Sequence, residues 1–275
     1  STRQITSAMK MVSAAKLRKA QNAIIHMRPY AQKLSEIVSH LSSSVHDLEY
    51  NPFSQQRKPE RILLVTISSN RGLCGAFNSN VLKKVNTLIT EKYSNQFAHG
   101  NVSIISIGKK ANESLTKKGF KVIEEHNKIY ENLNYENVAV IAQKIMHLFE
   151  EKFFDRIELI YNSFKNVATQ DLKNEQYLPV EFDTEEKIHS NYIFEPDKVL
   201  ILEKLIPKTL TLQLYKAILD SNTSEHGARM TAMHKATDNA SEMIKGLTLT
   251  YNKARQAAIT KEILEIVGGA EALKG

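Results

Sequence analysis

The chain has 275 residues, with 37 basic and 30 acidic side chains, one cysteine and no tryptophan. Its length suits one sizeable domain or two small ones, and sparse glycine (10) and proline (6) favour a helix-rich chain. A lone cysteine excludes an internal disulfide and a cysteine-based zinc site, and no apolar run approaches the roughly 20 residues of a membrane span. With no secretory signal visible, the expectation is a soluble, reduced, intracellular protein. The net charge of +7 suggests an acidic partner surface, but is too mild to identify nucleic acid as that partner.

In chain order, Ile24, Met27, Ala31, Leu34, Val38, Leu41, Val45 and Leu48 alternate gaps of three and four, the heptad pattern of a helix packed along a partner helix. Upstream, Ile5, Ala8, Val12 and Ala15 keep similar spacing in another phase, which predicts a stutter. Pro29 lacks an amide donor and predicts a kink or local break. Asn51-Pro52 and the polar stretch to Pro59 end the helix. Three short apolar runs follow, at residues 61–68, 102–107 and 156–163. Helical patterns through Val81 to Ile89, Ala111 to Lys118 and Val138 to Phe149 separate them. Strands alternating with helices predict a parallel sheet covered on both faces. Asn166 to Asp183 reads as irregular or antiparallel strand material.

From about Lys198 the chain turns helical again, with Ala240, Ile244, Leu247, Tyr251, Ala254 and Ala258 spaced by fours and threes. A helix over 209–267 is about 90 Å long at about 1.5 Å per residue, too long to hide in a globule. The predicted architecture is an α/β fold with a long antiparallel coiled coil of N- and C-terminal helices projecting from a Rossmann-like α/β domain. Its parts are an N-terminal helix (1–58), an α/β foot (59–197) and a C-terminal helix (198–275).

The loop Ser69 to Gly75 follows a strand and precedes a helix, where phosphate-binding loops sit. It has neither the three-glycine dinucleotide spacing nor the lysine-serine ending of a Walker loop, and reads as a close-packed turn. Cys74 has no partner triad in sequence and reads as a small buried hydrophobe. The nine histidines show no ligand spacing: His226 and His234 lie eight apart with no acid completing a zinc motif, and His40 and His46 read as a solvated coil face. Glu124-Glu125 and Glu150-Glu151 read as surface charge. No catalytic site assembles, so a binding or mechanical role leads. Residues 1–35 carry seven basic side chains (Arg3, Lys10, Lys16, Arg18, Lys19, Arg28, Lys33) and no acidic one, whereas solvated helix faces usually mix signs. A carboxylate-rich protein fits this stretch at least as well as nucleic acid does. The small apolar end Ile266 to Ala270 suits a smooth apolar collar.

Several segments resemble the gamma subunit of the rotary F-type ATP synthase. They are Met9-Lys10-Met11-Val12, Lys16 to Ala20, Arg28-Pro29-Tyr30, Ser68 to Gly75, Ser224 to Met233, Ala236 to Ala240 and Tyr251 to Glu262. The resemblance spans both coils and the central domain. Family chains begin several turns earlier, so an upstream segment is expected to be missing, and Asn70 stands where the family hallmark has aspartate. One cysteine cannot supply the pair of the redox-regulated chloroplast form. The resemblance implies a non-catalytic central stalk, turning inside a ring of alpha and beta subunits, with the foot on epsilon and the membrane c ring. It would couple proton flow to ATP synthesis or hydrolysis, with no cofactor, metal, nucleotide or nucleic acid of its own. Residue by residue, Arg255, Gln256 and Thr260 would hydrogen-bond beta loops near the catalytic interface. Met9 would face the acidic lever of beta, with Lys10, Lys16 and Lys19 nearby. Tyr192, Phe194 and Glu195 would meet the c ring, ordinary core packing being the alternative for the two aromatics. The implied location is the cytoplasmic face of a bacterial membrane, with the matrix face of a mitochondrial inner membrane second. Two other readings stand beside it, a basic coiled-coil protein binding nucleic acid and a small-molecule enzyme using the glycine loop.

Overall fold

The computed structural model describes residues 1–43, 51–167, 169–181, 195, 197–273 and 275. Two long helices, α1 (Thr2–Ser43) and α6 (Lys198–Ala272), flank an α/β domain. That domain runs β1 (Ile62–Ile67), α2 (Phe77–Thr87), a π-turn (Leu88–Lys92), α3 (Ser94–Ala98), β2 (Val102–Ile107) and α4 (Lys109–Lys117). It continues with β3 (Val122–Glu125), a 3-10 turn (Asn127–Tyr130), α5 (Tyr135–Glu150), β4 (Arg156–Phe164) and β5 (Gln170–Leu178).

The sheet order is β3-β2-β1-β4-β5, parallel except for the antiparallel β4–β5 pair. β1 is apolar on both faces because both are covered. Leu63, Val65 and Ile67 face Val138, Ile145 and Phe149 of α5 together with Leu210, Leu214 and Ile218 of α6. Ile62 and Leu64 face Val81, Val85, Ala111 and Leu115 on the other side. The predicted strands and their cover are therefore present. β3 was not predicted, since four residues reading Val-Ile-Glu-Glu carry too little pattern. One carboxylate lies deep in the sheet: Glu158, 1% exposed, is held by Lys92 Nζ at 2.5 Å, by Asn174 Nδ2 at 3.0 Å and by the Tyr93 hydroxyl.

α1 and α6 run antiparallel. Leu17, Ala20, Ile24, Met27, Leu34, Val38 and Leu41 form the buried seam of α1, the middle of it against Leu212 and Leu219 of α6. Three expectations about these helices change. First, α1 is continuous through Pro29, whose ring is on the exposed side while Met27 and Leu34 hold the helix from the buried side. The packing offsets the lost hydrogen bond, normally a cost of about 3 kcal/mol in a helix interior. Second, no stutter is packed. The seam keeps its register upstream through buried Ser13 and through Thr6, which accepts a 2.8 Å hydrogen bond from Thr237, while Ile5 and Val12 are left 58% and 57% exposed. Third, α1 does not cover the apolar positions at 240–258. Its first turns already lie beside Thr237, so Ile244, Leu247 and Tyr251 project beyond it and are exposed. Among the described residues no helix is long and apolar enough to cross a membrane.

Candidate functional site

The loop after β1 spends its polar groups on itself. Ser69 Oγ donates to the Arg71 carbonyl (2.7 Å), and Ser69 N donates to Asn78 Oδ1 (3.0 Å). Asn78 Nδ2 in turn donates to Ser69 Oγ (2.8 Å) and lies 3.2 Å from Cys74 Sγ. Asn70 ties two neighbouring loops together, donating to the Asn127 carbonyl (2.6 Å) and accepting from Lys109 N (3.0 Å). Tyr130 donates to the Ser68 carbonyl (2.8 Å). Burial pushes the Cys74 thiol up, consistent with a packed side chain rather than a nucleophile. Gly108, at φ +104°, lets β2's end pass directly over Ser68, where an added Cβ would collide with the Ser68 carbonyl. Leu73 is held at φ +63°, an unfavourable conformation for leucine, with its side chain 66% exposed.

This loop meets α6 at a buried ion pair. Arg229 Nη1 lies 2.5 Å from Glu225 Oε1, and Nη2 donates to the carbonyls of Arg71 (3.0 Å) and Gly72 (3.3 Å). Burial raises the Glu225 pKa, opposed by Arg229 and by Lys16 across on α1. The neighbouring His226 is pushed down to about 4 by burial, with Arg229 and Lys16 adding to the shift, so it is neutral at pH 7. Farther down α6, Asp220 accepts from Ser163 (3.3 Å) and faces Arg28 of α1 at 3.7 Å, with burial holding its carboxyl above the usual range. Between α1, the loop and α6 lies a cleft of about 710 Å³ lined by Ile5, Met9, Val12, Lys16, Leu73 and His226 among others.

The predicted contact residues occupy three places. Met9 and Lys10 are half-buried at the upper end of α1, and Lys16 and Lys19 are exposed on it. Of the seven basic residues there, Arg28 pairs with Asp220 and Lys33 with Glu36 (3.0 Å), both acids lying outside residues 1–35. Arg255, Gln256 and Thr260 stand exposed on the far part of α6. Around them Met243, Leu249, Ile259, Ile263, Leu264 and Ile266 are also exposed. At 100° per residue these side chains project on every side of the helix. Glu195 is exposed, and Tyr192 and Phe194 lie outside the described residues. Glu124 is more than surface charge, bonding Lys144 at 2.6 Å and facing His126 at 3.3 Å. No cluster of metal-ligating side chains occurs among the described residues. Sequence reasoning missed the Arg229 junction. The only hint was that both its halves, the glycine loop and the Ser224 to Met233 segment, are conspicuous motifs.

A family model described as ATP synthase matches residues 1–273. An ATP synthase gamma chain from Christiangramia forsetii is 53% identical over 276 residues, covering 100% of this chain and 95% of its own length. The gamma chain of Flavobacterium johnsoniae is 56% identical over 277 residues, with the same coverage of 100% and 95%. The chain belongs to the ATP synthase gamma-chain family. In three dimensions it is similar to a chain in the central stalk and c-ring structure of the Tetrahymena thermophila mitochondrial ATP synthase. The TM-score is 0.64 at 26% identity, covering 85% of this chain and 99% of that one. Membership makes the chain a central-stalk subunit of an ATP synthase, and the nucleic-acid alternative finds no support in it. The family motif after β1 is accordingly a structural fastening in this gamma chain.

Proposed function

We propose that this gamma chain works as the rotor that links proton flow through a membrane c ring to the alpha-beta hexamer. Residues 59–197 serve as the foot, and the parts 1–58 and 198–275, through α1 (Thr2–Ser43) and α6 (Lys198–Ala272), serve as the shaft. The observation that carries this reading is the far part of α6, which shows apolar side chains on all sides that are exposed among the described residues. Exposed apolar surface of that extent marks an interaction site, and a surrounding collar of other chains would cover it. Alpha and beta subunits fit as the surrounding collar. An asymmetric shaft turning inside it would favour a different beta conformation on each face, a population shift by contact.

Within that frame Arg255, Gln256 and Thr260 hydrogen-bond loops of beta, their exposure on the projecting helix leaving them free to do so. Met9, Lys10, Lys16 and Lys19 meet an acidic segment of beta, supported by a basic stretch whose upper members make no ion pair among the described residues. Tyr192, Phe194 and Glu195 meet the c ring, and epsilon binds the foot. The assembly sits on the cytoplasmic face of a bacterial membrane, in keeping with the bacterial relatives. Affinity purification of the tagged chain tests the whole reading. Alpha and beta should co-purify in a complex that hydrolyses ATP, and a chain recovered without them would sink it.

A further inference from the structure

Two loops of the foot, distant in sequence, close on α6 within little more than one turn. On one side Arg229, steadied by Glu225, reaches the carbonyls of Arg71 and Gly72. On the other, Thr231 donates to the Val167 carbonyl (3.3 Å), and Val167 and Phe164 lie over Gly227, near enough that an added Cβ would touch both. Residues 227 and 231 share one helix face, and 229 points to roughly the opposite one, at about 100° per residue. The β1–α2 loop and the β4–β5 hairpin thus form two jaws around the helix. Below them the next polar anchor to the foot is Asp220 on Ser163, just past the last sheet-core residue, Ile218. Above them α6 has the company of α1 as far as Thr237.

We propose that Arg229 is a positioning residue of the rotor: with Thr231 it clamps α6 at the mouth of the foot and sets where the shaft leaves the foot. The proposal rests on the rotor reading. The guanidinium suits the task because its planar fork bonds two carbonyls and one carboxylate at once, and low exposure keeps water from competing. With the jaws open, the anchor to the foot retreats from Arg229 to Asp220, and the lever lengthens by about 14 Å at about 1.5 Å per residue. The twist of a uniform rod under a given torque grows with its free length. The length up to Arg255 would rise by about a third on the same helical rise, so the shaft softens by a similar fraction.

The test uses the assembled complex carrying Arg229→Gln, Thr231→Val or both. Shaft stiffness is read from single-rotor fluctuations, and coupling is read as protons pumped per ATP against an imposed gradient. The double variant should assemble and hydrolyse ATP without load within about twofold of wild type. Its torsional stiffness should fall by about a quarter, and its pumping per ATP should decline increasingly as the gradient rises. Each single variant should show part of this, and Arg229→Lys, with charge but no fork, should fall between wild type and Arg229→Gln. A double variant with wild-type stiffness and wild-type pumping under load overturns the clamp. If the double variant does not assemble, the same two readings on the single variants decide the matter. Failure of the unmodified chain to assemble with alpha and beta would instead refute the rotor reading, before any variant is made.

Discussion

Between Leu202 and Leu219 the buried apolar residues of α6 are at most 4% exposed, whereas its large apolar residues from Met243 to Leu273 are all at least 47% exposed. One unbroken helix therefore follows two opposite packing rules. The lower part spends its hydrophobic surface within the chain, against the sheet, α5 and α1. The upper part leaves it exposed among the described residues. Leucine and isoleucine do not separate the two, since both stretches carry several of each. What separates them is which elements lie alongside, so apolar residues at heptad spacing identify a contact face without saying whose chain fills it.

The sharpest way to break this comparison is truncation at matched positions. Leu214→Ala or Ile218→Ala, each at 0% exposure, should cost the folded chain about 2–5 kcal/mol in denaturant unfolding. Ile266→Ala at the tip should change it by less than about 0.5 kcal/mol. Equal losses would show that the tip packs against its own chain after all. Next in size, Arg255→Ala or Gln256→Ala should lower ATP turnover of the assembled complex while leaving the chain's own unfolding unchanged. Hydrogen-bonded contacts truncated at an interface cost about 2–5 kcal/mol. Wild-type turnover in both variants would remove these residues from the contact.

A third measurement concerns the junction between the two regions. His226 titrates near 4 when folded and near 6.5 when unfolded. As pH falls from about 6.5 to about 4 the unfolded chain takes up this proton and the folded chain does not, so stability is lost, by at most about 3 kcal/mol. Asp220 and Glu225, both raised by burial, act in the opposite sense as they protonate. Comparing wild type with His226→Asn isolates the histidine: the wild type should lose stability faster across that window, and parallel curves would show His226 to be solvated. Smallest for stability is Lys19 of the basic stretch. Lys19→Glu should move unfolding by no more than about 0.5 kcal/mol, and Lys16→Glu, which sets a second carboxylate against the buried Glu225, by more than that. The two together should alter turnover of the complex at low salt, with the difference shrinking as salt rises. Unaltered turnover at low salt would make these lysines an ordinary solvated face.

Much of this was legible in the sequence, for identifiable reasons. The α1 seam and the central strands are repeated patterns, and repetition survives without knowledge of neighbours. Pro29 misled because a local rule about a missing amide was outweighed by packing from Met27 and Leu34 on the far side of the helix. The supposed stutter misled because Ser13 and Thr6 continue the seam with polar atoms, which a hydrophobic pattern skips. The Arg229 junction was illegible in principle. It joins residues 157 and 158 positions apart through backbone carbonyls, and a carbonyl acceptor leaves no mark on residue identity.

Gly108 gives that junction an unexpected governor. The residue lies at the end of β2, away from the shaft, yet its missing side chain is what allows the Ser68 carbonyl to sit where it does. Ser68 also accepts Ala111 N on its hydroxyl (3.0 Å) and the Tyr130 hydroxyl on its carbonyl, so it cannot drift without dragging both. Three residues later the same strand end presents the Arg71 carbonyl to Arg229. Any side chain at 108 must therefore push on the loop, and the push reaches the long helix as misalignment. A Gly108→Ala chain should keep its sheet while the amides of residues 69–75 exchange faster with solvent, and unchanged exchange there would show that the corner yields on its own. The geometry of the axle is thus written partly into a corner that never touches it.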